Sequence, residues 1–218
     1  MTADAVGGVW QYSVDLIEAL SSYGCEILLS TLGPRPSPSQ RDQLSRVSNV
    51  HLAESDFKLE WMDNPWGDVD RSSQWLLSLE REFKPDVVHL NGYSLASASF
   101  QAPVISVAHS CVYSWWTAVH GSEPGPEWLE YKYRISRGLS ASAAVVAPSQ
   151  FMAEAVTIHY GSRAEKTRVI HNFSSSPQTR PPEKQPYVLA GGRMWDEAKN
   201  LALLQSVADE LQWTLHIA

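Results

Sequence analysis

Short apolar runs alternate with amphipathic stretches along most of the chain. Apolar residues at helical spacing from Gly8 to Tyr23 predict a first helix, and Gly24 stands where a glycine commonly ends a helix. The short apolar run from Glu26 to Leu32 predicts a buried strand after it. The alternation continues with further strands at DVVHL, VISVAH, SAAVVAPS and TRVIHN. Strands that alternate with helices of this length are typical of an α/β fold with parallel sheets.

A change in composition divides the chain. Residues 173–186 (FSSSPQTRPPEKQP) are rich in serine, proline and charge, which is typical of a linker. We therefore expect a Rossmann-like N-terminal domain at 1–172 and the start of a second Rossmann-like domain at 187–218. The second contains a strand, a helix and a strand, at Tyr187–Ala190, Lys199–Leu211 and Trp213–Ile217. Because one β-α-β unit cannot bury both faces of its sheet, we expect this domain to be incomplete.

The beginning of the chain predicts that the N-terminal domain is incomplete as well. In a doubly wound domain, a glycine-rich turn follows the first, central strand. Here Gly7 and Gly8 follow MTADAV, which has few apolar residues for a buried strand. We therefore expect the N-terminal domain to lack its first strand. The segments 54–68 and 110–126 are predicted to be irregular.

Composition and charge exclude several classes of protein. The net charge is −7 and no basic stripe is present, which disfavours nucleic-acid binding. The two cysteines, Cys25 and Cys111, form no CxxC pair, which favours a reduced, cytoplasmic protein over a zinc or disulfide scaffold. The first residues, MTADAVGGVW, lack the basic start and apolar stretch of a signal peptide, so none is expected, and no apolar run reaches the roughly 20 residues that span a bilayer. Peripheral contact with the inner face of a membrane stays open.

The first candidate site residues lie at the ends of predicted strands. Gly7 and Gly8 open a helix, whose N-terminus suits an anion, although a plain tight turn explains them equally well. His109 and His89 end two strands, where ligands of open α/β sheets bind, and the alternative for each is a structural histidine. A Cys111–His109 nucleophile is disfavoured, because adjacent strand-end side chains rarely point at each other.

Arg193 and Lys199 form the most informative pair. Arg193 leaves a strand through Gly-Gly-Arg, and Lys199 begins the predicted helix six residues later. A guanidinium fork and a compact ammonium at one helix N-terminus suit a diphosphate. The alternative is solvated surface charge. The sequence has no GxGxxG, GxxxxGK[ST], GxSxG or HExxH motif. No DxD-like pair follows a predicted strand, as it would in a metal-dependent GT-A transferase.

An ordered set of motifs resembles a known family. The sequence contains GGVWQYSVDLIEAL, DVVHLNGY, PVISVAHS, VVAPSQFMAEAV, RVIHN and GGRMWDEAKNL. In this order they resemble family 4 of the retaining GT-B glycosyltransferases, over nearly the whole chain. The stretches LEWMDNPWGDVD and HSCVYSWWTAVHG look like a bacterial subgroup of that family.

The resemblance implies a function and roles for residues. The enzyme would transfer a sugar from a nucleoside-diphosphate sugar to an unidentified acceptor, with no metal and no cofactor. His109 matches the active-site histidine, while Arg193 and Lys199 match the basic pair that neutralises the departing diphosphate. Gly7 and Gly8 match the glycine loop near the donor diphosphate. The acceptor-side candidates near the predicted strand ends are Asn91, Tyr93, Trp115 and Trp116.

Two departures qualify the resemblance. The family's E-x7-E segment would lie beyond residue 218, and the first strand is expected to be missing. We therefore expect the 218-residue chain to be truncated at both ends. We also expect it to be inactive and poorly stable. Two alternatives to a transferase stay open. One is a non-catalytic binding remnant that keeps the acceptor domain. The other is a GT-B sugar epimerase, which would need acid and base groups that this part of the sequence does not offer.

Overall fold

The structure is a computed structural model that describes residues 1–174, 183–192 and 196–218. Within these ranges, the strands are β1 (Thr2–Asp4), β2 (Ile27–Leu32), β3 (Val50–Glu54), β4 (Val88–Leu90), β5 (Val104–Val107), β6 (Ala144–Ala147), β7 (Thr167–Val169), β8 (Tyr187–Ala190) and β9 (Thr214–Ile217). The α-helices are α1 (Gly8–Ser21), α2 (Pro38–Ser45), α3 (Trp66–Phe83), α4 (Val112–His120), α5 (Leu129–Ala141), α6 (Gln150–Tyr160) and α7 (Leu201–Ser206).

All the strand pairs are parallel, as the alternating pattern predicts. One sheet has the order β1-β2-β3, a second has the order β4-β5-β6-β7, and a third pairs β8 with β9. β1 also lies beside β4, where the backbone N–H of Asn91 donates to Thr2 Oγ1 over 3.0 Å. The first seven strands therefore follow the order 3-2-1-4-5-6-7. The order reverses between β1 and β4, which is the position where ligands of doubly wound folds bind.

The prediction that the first strand is missing is wrong. Residues Thr2–Asp4 form β1, which pairs in parallel with β2, so that Thr2 lies opposite Ser30. The segment has few apolar residues, but its buried positions are small and its polar groups are bonded. Thr2 is 5% exposed, and both its hydroxyl and its carbonyl oxygen accept hydrogen bonds from Asn91. Hydrogen-bonded polar groups can be buried at little cost, so a central strand need not be apolar.

Helices pack on these sheets through apolar faces at helical spacing. Val14 and Ile17 of α1 are fully buried and belong to one cluster with Leu29 of β2. In a second cluster, Ile135 of α5 packs with Val145 of β6. Burial of each such side chain contributes about 1.5 to 3 kcal/mol, so these clusters hold α1 and α5 in place against the strands. In the described residues, no helix is long and apolar enough to cross a membrane.

Three helices differ from the sequence-based expectation. The segment 110–126 was expected to be irregular but contains α4, in which the Trp116 and His120 rings contact each other one turn apart, with centroids at 4.7 Å. Residues 34–40 (PRPSPSQ) predict a loop, but α2 begins at Pro38, where Ser37 and Gln40 form a capping box. α7 begins later than expected because Asn200 adopts a left-handed conformation (φ 46°) just before it, and it ends at Ser206 rather than Leu211.

The chain divides into two compact units. The first comprises Met1–Ser114 and Pro124–Ser175, and the second comprises Trp115–Glu123 and Ser176–Ala218. The division after Ser175 falls within the linker expected from composition. The grouping of residues 115–123 with the second unit has no counterpart in the sequence-based division at 172 and 187.

Gly138 of α5 provides a test of the packing in the first unit. A Cβ atom at this position would lie 1.9 Å from the carbonyl oxygen of Tyr93. We expect Gly138→Ala to lower the free energy of unfolding, measured in urea, by about 3 kcal/mol or more, because backbone must move to make room.

Gly67, in the first turn of α3, is the matched control. A Cβ atom there would meet only Arg71 Nη1 at 3.6 Å, which is an ordinary contact. Gly67→Ala should keep or raise the free energy of unfolding, by up to about 1 kcal/mol, through the higher helix propensity of alanine. Equal effects of the two substitutions would contradict the close approach of α5 to Tyr93.

Candidate functional site

Three polar segments meet where the strand order reverses. Gly7 follows β1, His89 lies within β4 and Asn91 directly after it, and His109 lies two residues after β5. The carboxyl ends of parallel strands lie at one edge of a sheet, which brings these residues together. We call His89, Asn91, His109 and Tyr12 the strand-end cluster.

Asn91 is the centre of the strand-end cluster. Its Oδ1 lies 3.1 Å from His89 Nε2 and 3.0 Å from His109 Nε2. Its Nδ2 donates to the carbonyl oxygen of Thr2 over 2.7 Å and to Ser13 Oγ over 3.1 Å. A single side chain therefore joins the ends of β4 and β5 to β1 and α1.

The start of α1 borders this cluster. The Tyr12 ring packs edge-on against the His109 ring, with centroids 4.5 Å apart, and lies 6.0 Å from the His89 ring. Gly7, the residue before α1, has a φ of 97°, which favours glycine, and a Cβ atom at Gly7 or Gly8 would meet nothing within 4 Å. The turn therefore has open space in front of it, into which a ligand could bring its oxygen atoms close to backbone.

Burial keeps both imidazoles neutral near pH 7. It lowers the pKa of His109 to about 4. Burial is also the main cause that lowers the pKa of His89 to about 4, with a smaller contribution from the N-terminal ammonium, against a hydrogen bond to Asn91 that favours the charged ring. Histidines of this kind serve as hydrogen-bonding groups rather than as cations.

In the second compact unit, Lys199 lies at the carboxyl end of β8. A Cβ atom built at Gly192 would lie 3.3 Å from Lys199 Cδ and Cε, so the lysine stem passes directly over the glycine turn. Lys199 ends a short 3-10 helix, Glu197–Lys199, rather than beginning a long α-helix as expected. Arg193, its predicted partner, lies outside the described residues.

Trp115 and Trp116 also belong to the second unit. The Trp115 indole N–H donates to Asp196 Oδ1 over 3.4 Å, and both tryptophan rings contact His120. Both side chains are half-buried. Each therefore keeps exposed aromatic surface, and contact with an acceptor stays a prediction.

Comparison with known protein families identifies the chain. The sequence profile described as "Glycosyltransferase Family 4" matches residues 6–174, which is more than half of the 218 residues. The chain belongs to glycosyltransferase family 4. A comparison with curated proteins gave no match.

Solved structures agree with this family in their fold. A glycosyltransferase from Rickettsia africae ESF-5 is similar with a TM-score of 0.61 and 14% identity, over 99% of this chain and 58% of that one. A UDP-N-acetylglucosamine 2-epimerase is similar with a TM-score of 0.58 and 14% identity, over 99% and 61%. The UDP-bound MnaA of S. aureus gives a TM-score of 0.56 and 13% identity, over 99% and 60%.

These similarities show the fold alone. The family 4 chain has an α/β architecture with parallel sheets that corresponds to part of a GT-B fold. It spans about 60% of the length of these structures.

The structure places two acceptor-side candidates differently from the sequence-based expectation. Tyr93 is 3% exposed in the core, and its hydroxyl donates to the carbonyl oxygen of Ser110 over 2.7 Å. Its backbone N–H and that of Ser94 donate to the buried carboxylate of Glu60, whose pKa burial raises. Asn91 already uses both amide protons and its oxygen within the protein. Both residues therefore hold the site in shape, and neither offers a free polar group to an acceptor.

Two other features of the first unit lie apart from the cluster. Cys111 is 4% exposed in the core, and its Sγ donates to Ser114 Oγ rather than facing His109. A groove of about 220 Å³ lies between α3 and α5, with Arg134 held there by Asp70 and Glu130. The groove contains no residue of the strand-end cluster. In the described residues, no group of three or more His, Cys, Asp or Glu side chains could hold a metal ion.

Tyr12, Ser13 and Thr2 also shape the cluster, and none of the three was predicted as a site residue. A signal was available, because Ser13 is a small polar residue on the buried face of an apolar helix. Such a residue needs a hydrogen-bond partner, and Ser13 donates to Val9 within α1 and accepts from Asn91.

The low pKa values of His89 and His109 predict a pH dependence of stability. In the unfolded chain, the histidine pKa is about 6.5, so between about pH 6.5 and 4 the unfolded state binds more protons than the folded state. The free energy of unfolding should fall as the pH falls through this window. Each histidine should contribute about 2 kcal/mol between about pH 7 and 5.

His109→Gln tests how much of this pH dependence comes from the His109 ring. A glutamine amide can still donate to Asn91 Oδ1, but it cannot gain a proton. Urea unfolding of this variant should show a shallower fall between the two pH values than the wild type. An unchanged pH dependence, or an NMR titration that puts the pKa of His109 near 6.5, would show that the ring is not buried as described.

Proposed function

We propose that this family 4 chain is part of an enzyme that transfers a sugar from a nucleoside-diphosphate sugar to an acceptor, with retention of the anomeric configuration. Membership in the family supports sugar transfer. The observation that carries the proposal is the strand-end cluster, whose neutral histidines lie at the point where the strand order reverses, next to the helix that the Gly7 turn begins. That is the part of a doubly wound fold where a ligand is expected.

His109 is proposed to contact the transferred sugar. Its ring is neutral and half-buried, and Tyr12 and Asn91 hold its orientation. A ring fixed in this way can bind a hydroxyl without reorganising, which is how a preorganised site favours a reaction.

Lys199 and Arg193 are proposed to bind the diphosphate of the donor. Negative charge develops on the departing nucleoside diphosphate, and fixed cations stabilise that charge in the transition state. The exposed Lys199 ammonium, with its stem over the Gly192 turn, suits this role. The UDP bound to the structurally similar MnaA is consistent with a nucleoside diphosphate as ligand. The reaction is proposed to need no metal and no further cofactor.

A sugar epimerase is an alternative function, because a 2-epimerase has a similar fold. An epimerase would need an acid or base near the sugar. The strand-end cluster contains no carboxylate, and burial lowers the pKa of His89 and His109 to about 4, which makes both rings weak bases. A non-catalytic remnant that only binds a sugar or a partner is the remaining alternative. The transferase proposal fits the family and the neutral cluster better than either.

The test is a screen of nucleotide sugars, with release of nucleoside diphosphate and labelled product as readouts, on this chain and on the complete gene product. His109→Ala and Lys199→Ala should each lower kcat/KM by a factor on the order of 100 in whichever form is active, since each removes a group that stabilises the transition state. Lys184→Ala is the matched control, because Lys184 precedes β8 at the end of the strand away from Gly192.

Activity that is independent of both Lys199 and His109 would contradict the proposal. Interconversion of two nucleotide sugars without transfer would identify an epimerase. Binding of a nucleotide sugar with no turnover by the complete gene product would support the non-catalytic remnant.

The tryptophans of α4 predict a second effect on the same reaction. If their half-buried rings contact the acceptor, Trp115→Ala and Trp116→Ala should raise the acceptor KM about tenfold and leave the donor KM unchanged, as expected for the loss of ring contact worth about 1 kcal/mol or more. Trp213→Ala, at an exposed position just before β9, is the control. An unchanged acceptor KM in both variants would exclude the acceptor role.

A further inference from the structure

The orientation of the Asn91 amide is fixed by a group that can only accept. The carbonyl oxygen of Thr2 has no proton to donate, so the Asn91 group 2.7 Å from it must be the amide NH2. The other amide proton lies towards Ser13 Oγ, whose own proton is given to the carbonyl oxygen of Val9. The amide oxygen therefore faces the two histidines without ambiguity.

An amide oxygen can accept two hydrogen bonds and donate none. His89 Nε2 and His109 Nε2 both lie within 3.1 Å of it, so each must carry the proton that it donates. Burial keeps both rings neutral near pH 7, and a neutral imidazole has one ring proton. Nδ1 of each ring is then unprotonated.

Nδ1 of His109 is available to a ligand. In the described part of the chain, the recorded contacts of His109 are its bond to Asn91 and its packing against Tyr12, and neither involves Nδ1 as a hydrogen-bonding atom. This atom is also not among the buried, unpartnered side-chain atoms of the described residues, so it retains exposure to solvent.

We propose that Asn91 is a positioning residue that holds His89 and His109 in the Nε2–H tautomer, so that His109 presents Nδ1 as an acceptor to a hydroxyl of the sugar. This inference rests on the proposed function and deepens it. It assigns the polarity of the contact: the group bound at His109 donates a hydrogen bond.

Because His109 Nδ1 acts as a hydrogen-bond acceptor, an anionic group is excluded as its partner. A phosphate or carboxylate oxygen would bring its lone pairs against the lone pair of Nδ1, and the desolvated contact would be repulsive. A sugar hydroxyl can donate one hydrogen bond and still accept others. The diphosphate is thereby left to the cations Lys199 and Arg193.

The first experiment is 15N NMR of the imidazole nitrogens in this chain near pH 7, with no substrate present. We expect His89 and His109 to show a protonated Nε2 and an unprotonated Nδ1, with Nε2–H protons that exchange slowly. His109 with its proton on Nδ1, or with an Nε2–H that exchanges as fast as in free histidine, would overturn the proposal.

Asn91→Ala provides the matched comparison. It should remove the slowly exchanging Nε2–H signals of both rings. Asn49→Ala, which removes another amide that donates to a backbone carbonyl, that of Cys25, should keep them. Retention of both signals in a folded Asn91→Ala chain would overturn the proposal, and the wild-type measurement decides alone if that variant does not fold.

The second experiment is a double-mutant cycle in the complete gene product, with deoxy analogues of the donor sugar that it accepts. One deoxy position should lower kcat/KM about tenfold in the wild type, as expected for loss of a single hydrogen bond, and much less in Asn91→Ala. Equal losses in both proteins at every position would overturn the sugar contact. Absence of transfer with any nucleotide sugar would count against the proposed function, while the NMR result would still judge the tautomers.

Discussion

The site depends on one hydrogen bond, from the Asn91 amide to the carbonyl oxygen of Thr2. This bond sets which way the amide faces, and the amide sets the ring protons of two histidines. It also joins β1 to the end of β4 across the gap between two separately paired sheets, beside a second bond from the Asn91 backbone N–H to Thr2 Oγ1. The structural link between the two sheets and the chemistry of the site therefore rest on the same residue. A change that moved β1 relative to β4 would alter both.

Burial determines the charge of the candidate site residues in each compact unit. The histidines are neutral because transfer of a charged ring from water into the protein is costly. They suit recognition of hydroxyl groups, and they need no counter-charge. Lys199 remains exposed, so its charge is hydrated, and its long stem lies over the Gly192 turn. The first unit thus offers neutral hydrogen-bonding groups, and the second offers a cation.

The parallel α/β fold could be predicted from the sequence because long amphipathic helices and apolar strands carry strong periodic signals. His109 could be predicted for a related reason, since a polar residue directly after a buried strand marks a sheet edge. β1 could not be predicted in this way. It is held by its pairing with β2, by the small buried side chain of Ala3 and by hydrogen bonds from Asn91, 89 residues away.

The role of Asn91 could likewise not be predicted from the sequence. It was expected on the acceptor side, and the structure instead saturates its amide with four partners from the protein. α4 was missed because its aromatic residues have modest helix propensity, and the contact between its Trp116 and His120 rings contributes only once the helix has formed. For β1 and Asn91 the missing information concerns partners distant in sequence, which local pattern does not encode.

The most direct test of this account is a crystal structure of the complete gene product with a bound, non-hydrolysable nucleotide sugar. The account predicts a sugar hydroxyl within hydrogen-bonding distance of His109 Nδ1 while Asn91 Oδ1 still bonds both Nε2 atoms. A phosphate oxygen at His109 Nδ1, or a sugar bound away from the strand-end cluster, would contradict it.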